Sequence, residues 1–200
     1  MENVIVWLAW LGGAYLVGAI PFGLLIGKMR GVDVRTVGSK NIGATNVYRT
    51  VGHVWGFLAF FCDFLKGFLP TYFALRYVSS SAFNVNLPVC VGLATVIGHT
   101  LTVFMKFRGG KGVATAFGMM VALATYPTLL AFAVFVVTVW LSHYISLGSI
   151  LAAATLGVLV WFFPCLLAVR IIAVLVAIFV IVKHKSNIQR LMKGCENRIY

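Results

Sequence analysis

From Val113 to Val182 the chain carries one charged residue, Arg170. A water-soluble domain cannot surround a stretch that apolar, because roughly a quarter of a soluble domain's residues are charged and cover its surface. The whole sequence agrees: 62% of its 200 residues are hydrophobic, 10% are charged, and the mean hydropathy is +1.02. In a bilayer every backbone N–H and C=O must be satisfied internally, so the fold expected is all-α, a polytopic bundle of membrane helices.

The remaining charge is concentrated. Sixteen Lys and Arg stand against Glu2, Asp33, Asp63 and Glu196, and the basic residues cluster at 28 to 49, 106 to 111 and 183 to 198. Positive clusters between spans mark the cytoplasmic side, which puts all three on one face and the polar stretch Arg76 to Asn86 on the other. An even number of crossings must then separate the second cluster from the third. Turn-like breaks at Tyr126-Pro127, Ser142 to Ser149 and Phe163-Pro164 divide the long apolar stretch into four short spans. Val4 to Gly27, His53 to Leu75 and Leu87 to Met105 supply three more. The expectation is seven spans, with five as the alternative, the N-terminus outside and the C-terminus cytoplasmic. Together they form a single integral-membrane domain over 1–200 whose polar regions are 28–52, 106–115 and 183–200.

Val4 to Gly27 is too long for a cleaved signal and is expected to stay as a span, with Trp7 and Trp10 as interface anchors. Gly23 and Gly27 on it permit close packing. Inside the second span Asp63 and Lys66 are three residues apart, on one helix face, and are expected to pair; Asp63 is read as structural, too deep to reach a phosphate at the surface. Cys62, Cys90, Cys165 and Cys195 are widely spaced with no CxxC pair, so free thiols are expected.

The polar regions are built like anion sites. Gly38-Ser-Lys-Asn-Ile-Gly-Ala-Thr-Asn-Val-Tyr-Arg49 combines Gly38 and Gly43, whose backbone can approach a ligand, with the short donors Ser39, Asn41, Thr45 and Asn46 and the cations Lys40 and Arg49. Lys106-Phe-Arg-Gly-Gly-Lys-Gly112 places Lys106, Arg108 and Lys111 among Gly109, Gly110 and Gly112. The third region, His184 to Asn197, continued as a helix would align His184, Asn187, Ile188 and Leu191 and stop at Gly194. An amphipathic tail lying on anionic lipid is the alternative reading of that segment.

Several chemistries are excluded. Gly38, Gly43 and Thr45 approach the nucleotide P-loop spacing, but Ala44 stands where that loop requires lysine. Four scattered acids provide no glycosidase pair, and no His/Cys cluster suggests zinc. The His-x4-Asp pair of membrane-peripheral glycerolipid acyltransferases is absent at His53, His99, His143 and His184. No metal, cofactor or nucleic acid is expected. What remains is a membrane surface suited to phosphorylated substrates: an enzyme, a transporter or flippase for a small organic phosphate, or a structural lipid-associated protein. Against transport, the cations lie at span ends, and the only internal echo is Gly43-Ala44-Thr45 in Gly112-Val113-Ala114-Thr115.

GSKNIGATNVYR, GHTLTVFMKFRGGKGVAT and HKSNIQRLMKGCEN, in this order, resemble the three cytoplasmic motifs of the bacterial acyl-phosphate:glycerol-3-phosphate acyltransferase family, and the resemblance covers essentially the whole chain. Lys40 departs from a pattern that has a small residue there. The resemblance implies transfer of a fatty acyl group from acyl phosphate to the 1-hydroxyl of glycerol 3-phosphate, giving lysophosphatidic acid and inorganic phosphate. It implies a multi-pass protein of the bacterial inner membrane, acting as a monomer among membrane lipid with its site on the cytoplasmic face. The second motif would bind glycerol 3-phosphate through Lys106, Arg108, Lys111, Gly109, Gly110 and Gly112. The first, through Gly38, Ser39, Asn41, Gly43, Thr45 and Arg49, and the third, through His184 and Asn187, would complete the site, with Ser39, Asn41, His184 and Asn187 nearest the chemistry. Either His184 or a phosphate oxygen of the donor would take the hydroxyl proton; the substrate-assisted route is preferred because the donor already has a good leaving group.

Overall fold

The computed structural model describes residues 2–80 and 86–199. Among the described residues the regular structure is entirely helical, as expected. The helices group into two compact units that divide between Leu123 and Ala124.

The first unit opens with α1 (Glu2–Ala19) and α2 (Phe22–Met29). The two lie in one apolar run, interrupted at Ile20-Pro21 because proline has no N–H to continue the ladder. After the first polar region comes the short α3 (Ala44–Thr50), then α4 (His53–Ser80), α5 (Leu87–Thr100) and, beyond a 3-10 turn at Val103–Met105, α6 (Val113–Leu123). The expected turn at Arg76 to Asn86 is partly corrected: helix α4 continues through Arg76 to Ser80. Residues 81–85 of that stretch lie outside the described residues.

Close crossings use small residues. A side chain on Gly18 would collide with the Thr95 backbone and one on Gly98 with Tyr15 and Ala19, which locks α1 to α5; Gly67 and Gly118 do the same for α4 and α6. Without a hydrophobic drive between helices in lipid, such close backbone approach supplies the packing.

The second unit contains α7 (Thr125–Ser142), α8 (Ile145–Leu159), α9 (Leu167–Lys183) and α10 (Lys185–Met192). The breaks anticipated near Ser142 and Pro164 are present. The one placed at Tyr126-Pro127 falls instead at Ala124, since proline is tolerated in a helix's first turn.

Five stretches are long and apolar enough to cross a bilayer, namely Val4–Met29, His53–Val78, Leu87–Met105, Thr125–Ser142 and Ile145–Phe162; α9 and α10 together make a sixth, bent by 56°. Helix α6 is apolar but has only 11 residues, about 16 Å at helical rise. Large apolar side chains such as Leu8, Phe57, Trp140 and Phe162 are exposed along these helices, as a lipid-facing surface requires.

Candidate active site

The first motif is a loop locked by a residue that composition alone does not single out. Asn46 is 1% exposed; its Nδ2 donates to Val34 O (2.8 Å) and Val37 O (3.2 Å), and its Oδ1 accepts from Ser39 N (2.9 Å). One amide thus satisfies three backbone groups across the loop. Asn41 Oδ1 accepts from Gly43 N at 2.8 Å, a local turn that ends where α3 begins. Gly38 and Lys40 both take left-handed backbone, with φ of 58° and 57°. At Lys40 that conformation is strained for a residue with a Cβ, a physical reason for a small residue there. Ser39 and Lys40 are exposed, whereas Thr45 and Arg49 are half-buried on α3.

Asp33 anchors the approach to this loop. The Arg35 side chain donates to it, 2.6 Å at the shortest contact, and with help from the Arg35 amide and charge lowers its pKa to about 2.

The second motif returns on itself. Thr102 Oγ1, fully buried, donates to Ala19 O (2.6 Å), and Thr102 O accepts from Met105 N and Phe107 N. Lys106 and Phe107 both have positive φ, 52° and 62°. Gly109 N then donates to Thr100 O (3.1 Å) and Gly110 N to His99 O (3.2 Å). A side chain on Gly110 would collide with the His99 ring. These glycines therefore press the loop against the end of α5, and their two amides are used inside the protein. Lys106 and Arg108 are exposed and Lys111 is half-buried beside Gly112, where α6 begins.

The first two motifs share one apolar core. Ile42 and Val47 from the first, with Val34 just before it, pack with Leu24 and Ile26 of α2 and Ala59 of α4, and Met105 of the second motif packs against the same cluster. Gly23 leaves room for Ile42 and Gly27 for Val34, so the packing role expected for these glycines is to seat the loop.

The third motif lies in the second unit. His184 sits at the bend between α9 and α10, 3% exposed, with Nδ1 2.8 Å from Val180 O. A carbonyl only accepts, so Nδ1 carries the proton. Helix α10 ends as expected: Gly194 has φ 67°, Gly194 N bonds to Leu191 O and Cys195 N to Arg190 O, a Schellman stop. The chain then folds back so that Glu196, 7% exposed, accepts from Asn187 Nδ2 (2.6 Å), Ser146 Oγ (2.9 Å) and Arg190 Nε (2.6 Å). Burial alone would raise the Glu196 pKa; the three hydrogen bonds and the Arg190 charge overcome it and lower it. His184 and Asn187 are thus packed within a folded tail.

Sequence reasoning missed Asn46 as the lock of the first loop, Glu196 as the hub of the third, and His99 and Thr102 as the supports of the second. His99 and Thr102 stand inside the motif itself; Glu196 gave one signal, a lone acid in a basic tail. Among the described residues no three His, Cys, Asp or Glu side chains come together as a metal set.

Apolar helices and two cation-bearing loops on a common core define a membrane protein that handles anions. The comparisons are more specific. The chain matches the sequence profile of the glycerol-3-phosphate acyltransferase family over residues 8–194, and it belongs to that family. It is 49% identical to the glycerol-3-phosphate acyltransferase of Trichlorobacter lovleyi over 96% of both chains, and 45% identical to that of Geotalea daltonii over 92% of this chain and 93% of the relative. Its fold is similar to a crystal structure of PlsY (YgiH), an integral membrane glycerol 3-phosphate acyltransferase, in the glycerol 3-phosphate form: TM-score 0.90, 40% identity, 96% of this chain and 95% of that one. The transporter and purely structural readings fall away.

Proposed function

We propose that this chain transfers a fatty acyl group from acyl phosphate to the 1-hydroxyl of glycerol 3-phosphate, forming lysophosphatidic acid and inorganic phosphate. The observation that carries this beyond family membership is the shared core of the first two motifs, because it holds Arg49 and the cations of the second loop in one unit. Two phosphorylated substrates, one water-soluble and one with a lipid tail, must meet under cations at a membrane surface.

The hydroxyl oxygen attacks the acyl carbonyl carbon, the bond from that carbon to the phosphate oxygen breaks, and the proton passes to a phosphate oxygen of the donor. Asn41 steadies the developing oxyanion and the departing phosphate, and Ser39, Thr45 and Arg49 hold the substrates. His184, with Nδ1–H held by Val180 O, has its ring orientation fixed. Lys106, Arg108 and Lys111 hold glycerol 3-phosphate, with Gly109, Gly110 and Gly112 shaping their loop and Gly38 and Gly43 the first.

The site faces the cytoplasm of a bacterial inner membrane, the chain acting as a monomer with seven spans, N-terminus outside and C-terminus inside. Four helices, α6 to α9, lie between the second basic cluster and the third, so an even crossing count requires the 11-residue α6 to cross as well.

The test is product analysis with purified protein in micelles, offered glycerol 3-phosphate with acyl phosphate, acyl-CoA or acyl carrier protein in turn. Lysophosphatidic acid from acyl phosphate is expected; equal turnover with acyl-CoA contradicts the donor assignment.

A further inference from the structure

Beneath the two loops lies a buried charged cluster that takes no part in the chemistry above. Asp63 Oδ1 is 2.8 Å from Lys66 Nζ, the pair expected from their spacing, and 3.6 Å from His99 Nδ1, a third member at the start of the second motif, in electrostatic contact beyond hydrogen-bond distance. The three residues are 2%, 3% and 5% exposed. Burying such groups is costly, so the arrangement persists only where the surroundings over-determine it.

Each end of the cluster holds one loop. Lys66 Nζ donates to Ile20 O at 2.8 Å, capping a carbonyl at the break in the first apolar run, and lies over the Phe22 ring. That break sets where α2 goes, and α2 seats Ile42 of the first motif and Val34 just before it. At the other end the His99 ring presses against Gly110 and the His99 carbonyl accepts from Gly110 N, which places the loop bearing Lys106, Arg108 and Lys111. A continuous path runs from the first loop through α2, Ile20, Lys66, Asp63, His99 and Gly110 to the second.

We propose that Asp63, Lys66 and His99 are positioning residues that set the register between the two substrate-holding loops. Each loop keeps its own cations without the cluster; what is lost is their mutual placement. Misplacement of reacting groups by about 1 Å costs on the order of a hundredfold in rate, so the effect falls on kcat. The inference rests on the reading of both loops as substrate-holding.

The test separates positioning from folding. Removing one charge leaves the other buried and unpaired, whereas replacing both by apolar residues of similar size is often neutral for stability. The variant is therefore Asp63→Leu with Lys66→Met. We expect a folded protein whose kcat is at least about tenfold lower, with KM for both substrates within about threefold. Wild-type kcat in the folded double variant overturns the proposal. If that variant does not fold, a histidine pair decides: His99→Asn keeps a polar side chain toward Asp63, while His99→Phe keeps only the ring against Gly110. Higher kcat in His99→Asn supports the link; equal or higher kcat in His99→Phe defeats it. Arg49→Ala and Lys106→Ala are measured alongside. Unchanged KM there refutes the reading of the loops, whereas raised KM with an unaffected double variant refutes this inference alone.

Discussion

Asn187 Nδ2 donates to Glu196 Oε1 at 2.6 Å, so the residue expected at the chemistry is held by an acid at the far end of the same motif. Glu196 also accepts from Arg190 and Ser146. Glu196→Gln is expected to destabilise the protein by about 2 kcal/mol, the scale of a charge-assisted hydrogen bond. The pH dependence has a definite sign. The folded-state pKa lies below the ordinary 4.5, so the carboxylate's contribution is fully present above that value and is lost as pH falls through the folded pKa. Thermal unfolding in detergent should show a wild-type advantage that is flat above about pH 5 and shrinks in acid. An advantage unchanged down to pH 3 would contradict the account.

Helix breaks and stops were largely legible before the fold was known, because they are local: Gly194 ends α10, and helices break near Ser142 and Pro164. The Asp63–Lys66 pair was legible for the same reason, being one turn of helix apart. The ties that shape the site were not. Lys66 reaches Ile20 across 46 residues and Thr102 reaches Ala19 across 83, and contacts at such separations leave no periodic trace. The glycines of the second motif were visible, but their use was not, since Gly109 and Gly110 turn their amides to the end of α5. Pro21 stood in plain view within an apolar run long enough to read as one span. Its consequence, two helices with carbonyls tied to other parts of the first unit, required those partners to be known.

Lys40 is exposed and has φ 57°, a conformation costing a residue with a Cβ about 1 to 2 kcal/mol. Glycine gains more chain entropy on unfolding, which offsets part of that. Lys40→Gly should therefore raise stability by about 1 kcal/mol and leave turnover within about threefold. Thermal unfolding and steady-state kinetics on the same preparation check both; a destabilised variant would show that the Lys40 side chain matters more than its backbone.

The cations should neutralise substrate phosphate unaided. Arg49→Ala, Lys106→Ala and Lys111→Ala are each expected to weaken glycerol 3-phosphate binding by roughly 1.5 to 3 kcal/mol, seen as a ten- to hundredfold rise in KM. A chelator should leave wild-type turnover unchanged. Unaltered kinetics in all three variants, or activity lost on chelation and restored by magnesium, would count against this site.

His184 separates the two proton routes. In the substrate-assisted route His184→Gln folds, binds glycerol 3-phosphate and retains measurable turnover with the wild-type pH profile. The contrary result is turnover lost by a factor of about 100 to 10,000 together with an ionisation near the ordinary histidine value of about 6.5. That outcome would make His184 the general base.

The central claim is that the first two motifs form one substrate site on the cytoplasmic face. Single cysteines at Lys40 and Phe107, both exposed, in a background with Cys62, Cys90, Cys165 and Cys195 replaced by serine test it through their reaction with a membrane-impermeant maleimide in sealed vesicles of each orientation. Both positions are expected to label only from the cytoplasmic side, and glycerol 3-phosphate should slow both. Labelling of either position from the opposite side, or no slowing at either, would contradict the shared site.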